Sequence, residues 1–140
     1  MTFNLGPALL FCPADRPERF RGALEKADAV IIDLEDAVLP EAKAGARQNL
    51  IEADLDPDRV IVRVNAPDSA AFTADLATLA QTDLRTVMVA KTESAESLSA
   101  FDESFSLVAL CETARGVHAA DRIAAHPQVC LLYTSPSPRD

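Results

Sequence analysis

Glycine is scarce in this chain, with four residues in 140. A dinucleotide-binding sheet needs a glycine-rich turn of the pattern G-x-G-x-x-G after its first strand. The chain there reads CPADRPERF, which counts against that fold. Basic residues are the minority charge, 13 Lys and Arg against 22 Asp and Glu, for a net charge of −9. That balance excludes a general nucleic-acid or anionic-membrane binder, but not a local phosphate site. Cysteine is nearly absent. Cys12, Cys111 and Cys130 show neither metal-ligand spacing nor an even disulfide framework. Cys12 and Cys111 lie in apolar runs and read as small core residues. No apolar run approaches the roughly 18–20 residues of a membrane span. The start, MTFNLGPALLF, lacks a basic lead and a long apolar core, so no signal peptide is expected and a cytoplasmic location follows.

What remains is the composition of an ordinary globular domain, 49% apolar and 25% charged. The most informative stretch is Ala29 to Val38, AVIIDLEDAV. Four apolar residues run into three carboxylates, Asp33, Glu35 and Asp36. An unbroken apolar run reads as a strand buried on both faces, the habit of parallel sheets. Acids at the carboxyl end of such a strand sit where α/β enzymes place their chemistry.

Strand and helix signals alternate along the chain. Strands are expected at Ala8 to Cys12, Ala29 to Leu34, Val60 to Val64, Thr86 to Ala90 and Leu107 to Cys111. Helices are expected at Pro17 to Ala27 with Asp15 as N-cap, Pro40 to Ala53, Ala71 to Gln81, Ser94 to about Phe105, and Ala114 to Ala125. The SAES run at Ser94 fits a capping box. Five successive strand–helix units imply a parallel sheet with right-handed crossovers.

Two architectures compete, a doubly wound open sheet and an eight-fold barrel. Polar residues end most strands: Asp33 and Glu35, Arg63 and Asn65, Lys91, Glu112. That spread suits a barrel, whose site collects residues from many strand ends. A barrel normally takes roughly 250 residues, and this chain carries about five of the eight units. Either the sheet is open or the chain is an incomplete (β/α)8 TIM barrel. The last eleven residues, Cys130 to Asp140 (CLLYTSPSPRD), break the pattern where a sixth strand is due. All of them match an in-frame translation of the transposase adapter used in sequencing libraries. The expectation is therefore a native segment 1–129 and a non-native tail 130–140; the alternative is a genuine Ser/Pro-rich disordered tail.

The segments LLFCPADRPERF, VIIDLEDAV, VRVNAP, VAKTES and ALCETARG, in that order across about residues 8 to 125, resemble the HpcH/HpaI aldolase and citrate lyase beta-subunit family. The resemblance implies a (β/α)8 barrel. It also implies a magnesium-dependent lyase that makes or breaks carbon–carbon bonds in malyl-, citramalyl- or citryl-like thioesters of coenzyme A or an acyl carrier. The products are an acyl thioester and a 2-oxo acid. Residues 1–129 then form the N-terminal part of such a domain. The sequence departs from the family pattern at Cys12, Ala14 and Ala90, and an arginine common before the first strand is missing from LGPALLF. The family's second metal carboxylate, in a GAED-like motif after strand six, is absent.

The resemblance assigns Glu112 to the metal and, through it, to the 2-oxo acid; carboxylate oxygen suits magnesium. The alternative is a helix cap, for which Thr113 is better placed. Arg63, on an apolar strand, needs a partner or a ligand. The resemblance gives it the substrate carboxylate or the developing enolate, against a structural pair with an acid such as Glu35. Asn65 shapes the turn. The resemblance places Glu35 and Asp36 in the metal and substrate site, where they hold Arg63 or metal-bound water rather than act directly, and Asp33 is structural. Period-two alternation puts Asp33 and Glu35 on one face and Asp36 on the other. Arg16, Arg19 and Arg21 follow strand one; Arg16, in the matching DRPERF motif, is the candidate for coenzyme A phosphates, and the alternative is a solvated helix face paired with Glu18 and Glu25. Lys91 is read as structural or electrostatic rather than a Schiff-base lysine. His118 and His126 read as surface residues.

The expected reaction is a metal-assisted retro-Claisen or retro-aldol cleavage, with Arg63 and the ion stabilising developing charge. Two alternatives stand beside it: a non-catalytic barrel serving as a binding or assembly subunit, and a 2-oxo-acid aldolase acting on free hydroxy acids. The 140-residue chain itself is expected to be inactive, and the full-length protein to form a homo-oligomer.

Overall fold

Six parallel strands lie side by side in the order in which the chain makes them. They are β1 (Leu9–Pro13), β2 (Ala29–Asp33), β3 (Val60–Val64), β4 (Thr86–Val89), β5 (Ser106–Cys111) and β6 (Val129–Thr134). Between them run α1 (Phe20–Leu24), α2 (Lys43–Glu52), α3 (Phe72–Leu79), α4 (Ala114–His118) and α5 (Ala120–Ala124). The computed structural model describes residues 3–134.

The strand order decides between the two expected architectures. A doubly wound sheet reverses direction at a switch point and carries helices on both faces. Here the order never reverses. One core cluster joins the strand residues Val30, Val62 and Val89 to the helix residues Phe20, Leu50, Leu79 and Ile123. The opposite face carries a separate cluster of Ile31, Ile61, Met88, Val108 and Leu110, backed by Phe3, Leu5 and Leu9 rather than by a helix. Helices outside and strand residues inside are the layering of a barrel wall. The central strands read as continuous apolar runs because both faces are covered: all five residues of β2 are buried.

Helices depart from expectation more than strands do. The first and second open with 3-10 turns at Pro17–Arg19 and Pro40–Ala42 before becoming α-helical. Asp15 does not cap the first; the capping position is Arg16, without a side-chain hydrogen bond. The expected helix at Ser94 to Phe105 shrinks to a 3-10 segment, Glu96–Ala100. Ser94 Oγ does accept from the Ser97 N–H at 3.2 Å, but Asp102 then takes the Ser104 N–H at 2.8 Å and turns the chain. Helix five is broken at Ala119 into α4 and α5. A sixth strand forms at Val129–Thr134, paired with β5 through an irregularity at Leu107/Val108. Residues 135–140 of the expected non-native tail lie outside the described residues. Among the described residues no helix is long and apolar enough to cross a membrane.

Candidate active site

Asp33 organises the site. As the last residue of β2 it is the register partner of Arg63 on β3, so both side chains leave on the inner face. Asp33 is 1% exposed and uses both oxygens twice. Oδ1 accepts from Arg63 Nε at 2.7 Å and from the Glu35 N–H at 2.8 Å. Oδ2 accepts from Arg63 Nη2 at 2.6 Å and from the Ala37 N–H at 3.0 Å. Burial alone would raise the Asp33 carboxyl, but the bidentate guanidinium and the two backbone donors outweigh it and hold the group below its ordinary value. Arg63 is correspondingly raised: burial disfavours its charge, and Asp33, Glu35 and Asp36 overcome that. Its guanidinium also lies 4.9 Å from the centre of the Phe11 ring. Asp33 thus spends both oxygens within the protein, and it rather than Glu35 is the main partner of Arg63.

By capping two loop N–H groups, Asp33 ends the extended conformation. The alternation that predicted Asp36 opposite Glu35 therefore stops at residue 33. The turn brings both carboxylates to Lys91, whose Nζ pairs with Glu35 Oε2 and lies 3.6 Å from Asp36 Oδ1. Glu35 Oε1 is 3.5 Å from Arg63 Nη1 and is buried without a hydrogen-bond partner. Burial pushes the Glu35 carboxyl up, Lys91 and Arg63 oppose it, and Asp36 adds to the rise. Lys91 itself is raised, its burial more than offset by Glu35, Asp36 and Glu112.

Glu112 follows β5 and accepts from the Lys91 N–H at 3.0 Å. It lines a cavity of about 460 Å³ on the inner face, together with Phe11, Arg63, Met88, Leu110 and Tyr133. Arg63 and Glu112, 49 positions apart in sequence, thus meet at one mouth. Thr113, not Glu112, caps α4, accepting from the Gly116 N–H at 3.1 Å. Arg16 lies exposed in the loop after β1, and its side chain makes no hydrogen bond or ion pair among the described residues. Arg21 pairs with Glu25 on the surface at 3.3 Å. Cys12 and Cys111 are buried, as expected.

Behind the mouth lies a polar brace that the sequence reading missed. Lys43 Nζ donates to the carbonyls of Leu34 and Glu35 at 2.7 and 2.8 Å and to Asn65 Oδ1 at 3.0 Å. Asp75, fully buried, accepts from the Asn65 backbone and side chain and from Arg47 Nε. Asn65 therefore does more than shape its turn: it ties the loops after β2 and β3 together. One signal was legible. Asp75 falls within the helical spacing of Phe72, Leu76 and Leu79, where a lone charge needs a buried partner.

The donor set fits part of a magnesium site. Two cations, Arg63 and Lys91, face four carboxylates, Asp33, Glu35, Asp36 and Glu112, so the mouth carries excess negative charge. Magnesium commonly takes one or two protein carboxylates and completes its shell with water and substrate oxygens. Glu112 offers one such ligand with an oxygen to spare. Among the described residues no group of three His, Cys, Asp or Glu side chains could hold a metal unaided.

The citrate lyase subunit beta-like protein of Mycobacterium tuberculosis is 48% identical over 129 residues, covering 91% of this chain and 47% of that protein. A (3S)-malyl-CoA thioesterase of Cereibacter sphaeroides is 37% identical, covering 87% of this chain and 46% of that one. The crystal structure of M. tuberculosis CitE in complex with magnesium, acetoacetate and coenzyme A superposes with a TM-score of 0.89 at 46% identity, covering 92% of this chain and 48% of that one. The chain spans about half the length of the curated relatives it matches. The pattern of the HpcH/HpaI aldolase/citrate lyase family matches residues 8–137, and the chain belongs to that family.

Proposed function

We propose that residues 1–129 form the N-terminal part of a magnesium-dependent carbon–carbon lyase domain, and that residues 130–140 are not native. The substrate is a 3-hydroxyacyl thioester of the malyl, citramalyl or citryl type; the products are an acyl thioester and a 2-oxo acid. What carries the reading is the convergence of Arg63 and Glu112 on one cavity from non-adjacent strands. Magnesium and coenzyme A in the similar CitE structure add to it.

In this scheme Arg63 binds the substrate carboxylate through Nη1, the nitrogen left over after Asp33 takes Nε and Nη2. Glu112 holds the magnesium ion, which when bound supplies Lewis-acid polarisation of the 2-oxo-acid oxygens. Asp36, whose side chain is 74% exposed at the mouth, takes the 3-hydroxyl proton. The C2–C3 bond breaks, its electron pair passes into the thioester as an enolate, and the hydroxyl carbon becomes the carbonyl of the 2-oxo acid. Protonation of the enolate carbon completes the acyl thioester. Glu35 does not take the proton; its buried carboxylate keeps Arg63 and Lys91 facing the mouth. Arg16 is assigned to the phosphates of coenzyme A.

Similarity to the malyl-CoA thioesterase favours a second reading, hydrolysis of the thioester itself. One assay separates the two. The complete gene product is incubated with a malyl thioester of coenzyme A and magnesium, and its products are analysed. The lyase releases acetyl thioester and glyoxylate with no free thiol, whereas hydrolysis releases malate and free thiol. EDTA abolishes turnover and added magnesium restores it. Turnover that survives EDTA, or no turnover of any such thioester, refutes the proposal.

A further inference from the structure

Lys91 has the only positive φ outside glycine among the described residues, at 47°. A left-handed backbone is uncommon for a side-chain-bearing residue and persists only where its surroundings enforce it. Those surroundings are explicit. Immediately after Lys91, the Thr92 N–H donates to the Leu110 carbonyl at 3.0 Å, and the Thr92 hydroxyl donates to the Val89 carbonyl at 2.8 Å. Gly116 packs against the Thr92 carbonyl so closely that a Cβ there would collide with it.

The left-handed turn serves two directions at once. The backbone N–H of Lys91 faces β5 and reaches Glu112. Its ammonium faces β2 and reaches Glu35 and Asp36. One residue thus holds three carboxylates contributed by two separate strand ends. We propose that Lys91 is a positioning residue with two separable halves, a left-handed backbone that orients Glu112 and an ammonium that pins Glu35 and Asp36. This deepens the lyase reading and rests on its assignments of Glu112 and Asp36.

The halves come apart by substitution. Lys91→Gly removes the ammonium, keeps the N–H and adopts a positive φ freely. Lys91→Ala and Lys91→Met remove the ammonium but leave a Cβ in the left-handed region. Three measurements on the complete gene product follow. In thermal unfolding, Lys91→Gly melts a few degrees above Lys91→Ala; the reverse order overturns the backbone half. In calorimetric titration with magnesium chloride alone, Lys91→Gly and Lys91→Met keep the parent Kd within about twofold, because Glu112 stays oriented. In turnover of the malyl thioester, both variants lose about 100-fold in kcat with KM little changed, and Lys91→Arg recovers part of that loss.

A tenfold loss of magnesium affinity in Lys91→Gly overturns the separation. Unchanged kcat in Lys91→Met overturns the ammonium half. Failure of the lyase reading looks different: the unsubstituted protein then neither binds magnesium nor cleaves the thioester, while the melting order of Lys91→Gly and Lys91→Ala still decides the backbone claim.

Discussion

Arg63 owes its orientation to a fork that only a guanidinium can fill. Two nitrogens lie on the two oxygens of Asp33, and the third, Nη1, lies 3.5 Å from Glu35 Oε1. Lysine can occupy one of those contacts but cannot make the parallel pair. In the complete protein, Arg63→Lys is therefore expected to fold and to lose about 100–1,000-fold in kcat, the loss typical of removing one positioned donor to developing negative charge. Steady-state kinetics on the malyl thioester checks this. Asp33 makes a pH prediction of definite sign. Its carboxyl binds a proton less tightly in the fold than in the unfolded chain. Its contribution is thus fully present above the unfolded value of about 4 and is lost as pH falls through the lower folded value. Glu35 runs the other way: its raised carboxyl costs stability while ionised, and that cost fades as pH drops through the raised value. Asp33→Asn should lower stability at neutral pH and flatten its fall on the acid side. Urea unfolding at a series of pH values reads both effects, and a curve parallel to that of the parent protein contradicts them.

At the scale of elements, two glycines with opposite surroundings test the packing. At Gly116 in α4 a Cβ would press on the Thr92 carbonyl and sit 3.3 Å from Thr113 Oγ1. At Gly45, in the exposed part of α2, a Cβ meets nothing within 4 Å. Gly116→Ala should destabilise by about 1–3 kcal/mol, as overpacking does. Gly45→Ala should stabilise by about 0.5–1 kcal/mol, because alanine orders more cheaply in a helix. Equal effects of the two changes in denaturant unfolding would show that the close approach of α4 to the β4 loop is wrong. The strands were legible because burial on both faces leaves unbroken apolar runs, and Val60–Val64 lies where those runs place it. The helix after β4 was not. Its serines divert hydrogen bonds locally, with the Ser97 hydroxyl donating to the Ser94 carbonyl at 2.7 Å, and this favours a short 3-10 segment. Within the site, Arg63, Glu35 and Glu112 were legible as polar residues at strand ends. Lys43 and Arg47 were not, since each acts through a loop carbonyl or a partner on another element that no local spacing reveals; Asp75 carried a signal only as a lone acid within the apolar spacing of α3.

For the whole molecule, the unreversed strand order is the fact with the most consequence. Adding each strand on the same side, with helices always outside, curves the sheet around the inner cluster of Ile31, Ile61 and Met88. In such a ring the first strand finds its second neighbour only on closure. Here β1 and β6 are both edges, and β1 presents Leu10 and Phe11 at 41% and 50% exposure. Flat apolar edges template association with other chains. An inner face lined by Leu110, Leu131 and Tyr133 and covered by no helix adds an open apolar patch. The 140-residue chain alone is therefore expected to associate at micromolar concentration, to bind a dye specific for exposed apolar surface, and to lack turnover. On the proposed boundary, residues 1–129 within the complete gene product should elute as a defined species, exclude the dye and unfold cooperatively. Light scattering, dye fluorescence and calorimetry on the two proteins decide the matter. A monomeric 140-residue chain with a sharp thermal transition would mean that these edges are already protected, and the incomplete-barrel reading would fall with that result.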